Sequence, residues 1–93
     1  MVDYKLIEDL LVQLLSLLVD VFSDTEINEV KEFIGVGEYG LAFDTLIDII
    51  DEESKAIPHR VLELAKQVAV SMDLDSSNVE ARLSDLVISN SLY

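Results

Sequence analysis

Residues 23–43 read SDTEINEVKEFIGVGEYGLAF, and the fold turns on what this stretch becomes. It opens on a capping box. The Ser23 hydroxyl can accept the backbone N–H of Glu26, while the Glu26 carboxylate reaches back to the N–H of Ser23. That predicts a helix over 24–34, with Ile27, Val30 and Ile34 inward and Glu26, Glu29 and Glu32 outward. The acids lie mostly near its start, where the helix dipole favours negative charge.

The stretch closes on Gly35, Gly37 and Gly40, the only glycines in the chain. Their spacing matches G-x-G-x-x-G literally. That motif holds a pyrophosphate only when a strand precedes it, and here a helix does. The lysine and hydroxyl of a nucleotide-binding P-loop are missing, and Glu38 stands where an anion would approach. The stretch is therefore predicted to be a corner between two helices. Gly35 closes the first as its left-handed residue, Gly37 permits a tight turn, and Gly40 permits close backbone approach.

Helical periodicity extends on both sides of the corner. Over 3–22, Leu6, Leu10, Leu14, Leu17 and Val21 share a face that Ile7, Leu11, Leu15 and Leu18 widen. Asp9, Gln13, Ser16 and Asp20 form a narrow polar stripe. A helix this apolar is expected to be central. A third helix is predicted from near Gly37 to Glu53, burying Ala42, Phe43, Leu46, Ile47, Ile49 and Ile50. Asp44, Asp48 and Asp51 stack on a separate face of it, a mildly unfavourable like-charge arrangement.

Pro58 suits the first turn of a fourth helix over 58–72, whose inner face is Val61, Leu64, Ala65, Val68 and Met72. Ser77-Asn78-Val79-Glu80 reads as a second capping box, opening a fifth helix to Ile88 through Val79, Leu83, Leu86 and Val87. The tail SNSLY (89–93) frays, or docks through Leu92 and Tyr93. No useful length of chain alternates with period two. The fold class is all-α, a single 1–93 domain built as a compact bundle of five helices with short connections.

Composition bounds the chemistry. There is no Cys and one His, His59, so disulfides, thiolate sites and multi-histidine metal sites within one chain are excluded. Asp73, Asp75 and Ser77 match the opening of a calcium loop, but Asn78 and Ser84 stand where its glycine and closing glutamate belong. A helix cap is the better account. His59 has no partner in sequence that would make it a catalytic base. No catalytic residue, cofactor or metal site is assigned. The acidic N-terminus and the interrupted apolar run 10–22 point away from a signal peptide and a membrane span. The absence of Cys fits a reducing cytoplasm.

Charge is the strongest global signal. Nineteen Asp and Glu face six Lys and Arg, for a net charge of −13. Eleven of the acids fall between Asp20 and Glu53 against one base, Lys31. Such a field disfavours nucleic acid and anionic membranes and suits a cationic partner.

At the corner the chain resembles a known group. Residues 29–46, EVKEFIGVGEYGLAFDTL, are similar to the characteristic stretch of small helical immunity proteins of the Maf (MafI-type) and contact-dependent growth inhibition (CdiI-type) toxin systems. The matching residues are Phe33, Ile34, Gly37, Glu38, Tyr39, Gly40, Ala42 and Leu46. The motif covers about a fifth of the chain. The resemblance implies a non-enzymatic protein that binds and neutralises a cognate toxin domain, very often a nuclease. It carries over no toxin-contacting residues.

The charge agrees independently, because a nuclease site is basic and complementary charge speeds association. The expected contact set is Glu26, Glu29, Glu32, Glu38, Tyr39, Asp44, Asp48 and Asp51, with Tyr39 as the aromatic anchor. The competing reading is a homodimeric structural or regulatory module built on the apolar helix 3–22.

Overall fold

The computed structural model describes residues 2–88. The sequence expectations for the tail at 89–93 lie outside the described residues. The chain forms α1 (Tyr4–Leu17), α2 (Asp24–Gly35), α3 (Tyr39–Glu52), α4 (His59–Ser71) and α5 (Ser76–Leu83), followed by a 3₁₀ turn at Ser84–Leu86. The all-α bundle expected from periodicity is the fold. Helices α2 and α3 pack as one pair and α4 and α5 as another, and α1 lies chiefly against α4, with further contact to α3 and α2.

The core is apolar throughout. Ile7, Leu11, Leu14 and Leu18 of the first segment meet Leu46 and Ile50 of α3 and Val61, Leu64, Ala65 and Val68 of α4. Among the described residues no polar or charged side chain is buried. Truncating one of the fully buried leucines, such as Leu14→Ala, costs about 2–5 kcal/mol through lost burial and the cavity left behind.

Several boundaries differ from the expectation, each for a local reason. The first helix stops at Leu17 rather than running to 22. Ser23 must be extended (ψ 164°) to cap α2, so the chain turns over 18–22, where the N–H of Phe22 returns to the Leu18 carbonyl at 2.8 Å. Leu18 and Phe22 are buried all the same, which is why the apolar pattern outlasts the helix. The centre of the α1 stripe also shifts: Leu6 and Leu17 are partly exposed, and Ile7, Leu11 and Leu14 take the core.

The capping box at Ser23 is present in both directions. The one expected at Ser77 is not. Asp75 caps α5 two residues earlier, its Oδ1 accepting the backbone N–H of Ser77 at 3.0 Å and the Ser77 hydroxyl at 2.6 Å. That leaves Glu80 free to pair with Lys66. Helix α5 ends at Leu83, not Ile88, because Val87 and Ile88 leave the helix to join Ile57. Ile57 donates to the Leu86 carbonyl at 3.0 Å and Ile88 donates to the Ile57 carbonyl at 2.8 Å, forming an isolated parallel bridge.

The glycine corner is a Schellman closure of α2. The N–H of Glu38 reaches the Phe33 carbonyl at 2.9 Å, and that of Gly37 reaches Ile34 at 3.0 Å. This motif needs one left-handed residue, and it is Gly37, with φ +77°. Gly35, expected in that role, is instead the last helical residue. Gly40 is not a close-approach site, since a Cβ there would meet only Met72 Cε at 3.9 Å. The same closure ends α3 at Ser54 (φ 50°) and α4 at Asp73 (φ 60°), so Asp73 serves a helix end.

Candidate acidic surface at the α2–α3 corner

The eight residues expected to form a contact surface divide into three groups. At the far end of α3 from the corner, Glu26 is only partly exposed. Its carboxylate accepts the N–H of Ser23 at 2.9 Å and lies 3.4 Å from Lys55 Nζ. The Ser23 N–H holds the Glu26 carboxyl below its usual range, outweighing the opposing effect of burial, with Glu53 and Lys55 adding to it.

Lys55 is a latch. Its ammonium donates to the Val21 carbonyl at 3.2 Å, lies 3.4 Å from both Glu26 and Glu53, and sits 5.9 Å from the Phe22 ring centre. Burial pulls its pKa down, and the two carboxylates more than offset that, leaving it above its ordinary value. Glu26 therefore closes a structural junction between the α1–α2 turn and the end of α3.

The second group is Asp48 and Asp51. Their spacing on α3 matches one guanidinium on α5: Arg82 Nη2 donates to Asp48 at 2.8 Å and Arg82 Nε to Asp51 at 2.8 Å. These bonds, Asp48 first, hold Arg82 still more firmly protonated. Arg82 was not legible as a site residue, because its partners lie 34 and 31 positions away in sequence. It resolves the like-charge stack expected on α3 and leaves Asp44 as the outlying carboxylate.

The third group is the corner itself. Glu29, Glu32, Glu38 and Asp44 are exposed and form no ion pair among the described residues. Glu38 and Asp44 belong to the walls of a hollow of about 510 Å³, together with Tyr4, Tyr39, Leu41 and Met72; Glu29 and Glu32, further back along α2, do not line it. Tyr39 is half-buried, its ring 6.2 Å from that of Tyr4 at a 33° tilt, and its hydroxyl donates to Glu8 at 2.7 Å. That bond, then burial and the charge of Glu8, raises the phenol above its ordinary pKa. Tyr4 is the more exposed ring, at 64%, and is an aromatic contact candidate that sequence reasoning passed over. Its only signal was an aromatic residue within the first turn of a helix.

This surface can bind cations: an amphipathic hollow with aromatic faces and carboxylates at its edge suits a lysine or arginine side chain. His59 begins α4 and is exposed, and Glu63, at 3.9 Å, is its one ion-pair partner among the described residues. No described helix is long and apolar enough to cross a membrane. Comparison with protein-family models, with curated proteins and with solved structures gives no match.

Proposed function

We propose that the protein is an immunity-type binding module that neutralises a basic toxin domain, most simply a nuclease, by contact through the α2–α3 corner. The observation that carries this reading is the division among its acids. Glu26, Asp48 and Asp51 are engaged by Lys55 and Arg82. Glu29, Glu32, Glu38 and Asp44 stand exposed without such partners among the described residues, and Glu38 and Asp44 line a hollow shared with Tyr4 and Tyr39. Uncompensated like charge destabilises a small domain, and a cationic partner relieves it. Tyr4 and Leu41 supply apolar surface that such a contact would desolvate.

A homodimer through α1 is less well supported. The exposed apolar side chains of α1 and the turn after it fall on two sides, Leu6 towards α4 and Val12 and Val19 towards α2. The polar residues Asp9, Gln13, Ser16 and Asp20 are exposed as well.

The test is co-expression with basic nuclease toxin domains, candidates being sought first among the genes that adjoin its own. A complex should survive gel filtration, with an association rate that falls by about tenfold or more between roughly 20 and 300 mM salt. The double charge reversal Glu38→Lys/Asp44→Lys should abolish both binding and protection. Protection left intact by that variant would reject the corner as the contact surface.

A further inference from the structure

The corner hollow has a neighbour. Between α3 and α5 lies a second one, of about 260 Å³. Phe43, Ile47 and Val79 give it an apolar, largely buried lining, and Asp44, Asp75 and Arg82 give it charge. Asp44 lines the corner hollow as well. At 3.6 residues per turn, Phe43 and Ile47 fall on one side of Asp44 around α3, and Leu41 of the corner hollow falls on the other. Asp44 is therefore a ridge between two hollows.

Both hollows lean to one sign. The charged residues lining the corner hollow are Glu38 and Asp44. In the α3–α5 hollow the one cation, Arg82, is already engaged by Asp48 and Asp51. Asp44 and Asp75 form no ion pair among the described residues. The Ser77 hydroxyl and N–H hold the Asp75 carboxyl below its usual range, so it stays ionised at neutral pH.

Arg82 also shows what this side of α3 accepts. One guanidinium donates to two carboxylates at 2.8 Å each, the fork geometry that suits arginine. Asp44 stands one turn before Asp48 and continues that row of acceptors. Apolar surface below and carboxylate at the edge match a basic side chain, with its aliphatic stem and charged head.

We infer that the partner presents two basic side chains to this surface, one to each hollow, with Asp44 between them. The inference rests on the reading of the corner as a contact surface and extends that surface to α5. A second copy of this chain does not supply the pair. Five of its six Lys and Arg form ion pairs within the chain, which leaves Lys31. An extended segment of a basic protein does supply it, since its residues i and i+2 project to one face about 7 Å apart.

The probe is the blocked tripeptide acetyl-Arg-Gly-Arg-amide, titrated into the ¹⁵N-labelled protein and followed by amide shifts. Two twins each carry citrulline, the neutral isostere, in place of one arginine. An isomer, acetyl-Arg-Arg-Gly-amide, keeps the charge but sends its arginines to opposite faces. Arg-Gly-Arg should bind in the millimolar range and shift both Gly37 and Tyr39 of the corner hollow and Asn78 and Val79 of the α3–α5 hollow. It should bind roughly tenfold more tightly than the twins or the isomer, because the second contact is made at high effective concentration. Asn78→Lys should remove that advantage and leave the shifts at Gly37 and Tyr39. Glu38→Lys should remove it and leave those at Asn78 and Val79. Asp44→Asn should weaken both sets.

Shifts at Gly37 and Tyr39 with none at Asn78 would overturn the inference while agreeing with the corner as a cation site. Equal binding of the isomer would overturn it too, since net charge alone would then account for the affinity. So would the absence of any shift. The corner reading itself fails on a separate result, protection left intact by Glu38→Lys/Asp44→Lys.

Discussion

Tyr39 and Glu8 are 31 residues apart, and the hydroxyl of the one donates to the carboxylate of the other at 2.7 Å. The tyrosine that opens α3 is thus tied to α1, and the corner cannot swing freely against the first helix. The bond stabilises the neutral phenol, so Tyr39 should titrate at a higher pH than it does in Glu8→Gln. Ultraviolet difference titration of the two proteins reads this directly. Superimposable curves would show that the bond does not persist in solution.

Arg82 is the second long-range tie. Its side chain is 38% exposed, so solvent screens the pair, and Arg82→Met should cost only about 0.5–1 kcal/mol in urea unfolding. The loss exposes two carboxylates one turn apart on α3. Asp48→Asn should therefore destabilise the wild type but restore part of the loss in the Arg82→Met background. Additive effects in the double-mutant cycle would refute the shared bond.

Helix ends give predictions of opposite sign at chemically similar positions. Gly37→Ala forces a Cβ onto a φ of +77° and should cost about 1 kcal/mol. Gly35→Ala replaces a helical glycine in open space and should gain about 0.5–1 kcal/mol. Ser54→Gly and Asp73→Gly relieve left-handed residues at φ 50° and 60° and should gain about 0.5–1 kcal/mol each. Asp73→Gly also removes a negative charge from the C-terminal end of α4, where the dipole opposes it. Thermal melts of the four variants would rank them.

Glu26 sets an acid-side dependence. Its carboxyl pKa is lowered in the folded state. A depressed carboxyl contributes stability that is present above the unfolded value, about 4.3, and lost as pH falls through the folded value. The stability gap between wild type and Glu26→Gln should therefore be open at neutral pH and close as the pH drops below about 4.3. Urea midpoints across that range would measure it, and a gap independent of pH would show that Glu26 is not held by Ser23 and Lys55.

What could be read from sequence was local. The capping box at Ser23 and the amphipathic faces of α3 and α4 lie within a few residues of their own signals, and they stand as read. The turn after Leu17 was hidden because Leu18 and Phe22 continue the apolar rhythm while the backbone no longer does. The left-handed ends at Ser54 and Asp73 were hidden because neither residue is glycine. At the surface, the acidity of the α2–α3 half was plain, but its partition was not. Which carboxylates are engaged depends on Arg82 and Lys55, and nothing within one helix of Asp48 or Glu26 announces them.

The placement of α1 has a consequence for how the chain is made. Its leucines are covered mainly by α4, which begins roughly forty residues later. At about 5–20 residues per second, synthesis separates the two by about 2–8 seconds. During that interval α2 and α3 can already pair with each other, while α1 waits without its main cover. The α1 segment is therefore where a nascent-chain chaperone would engage first, and where slowed translation upstream of α4 would do the most harm.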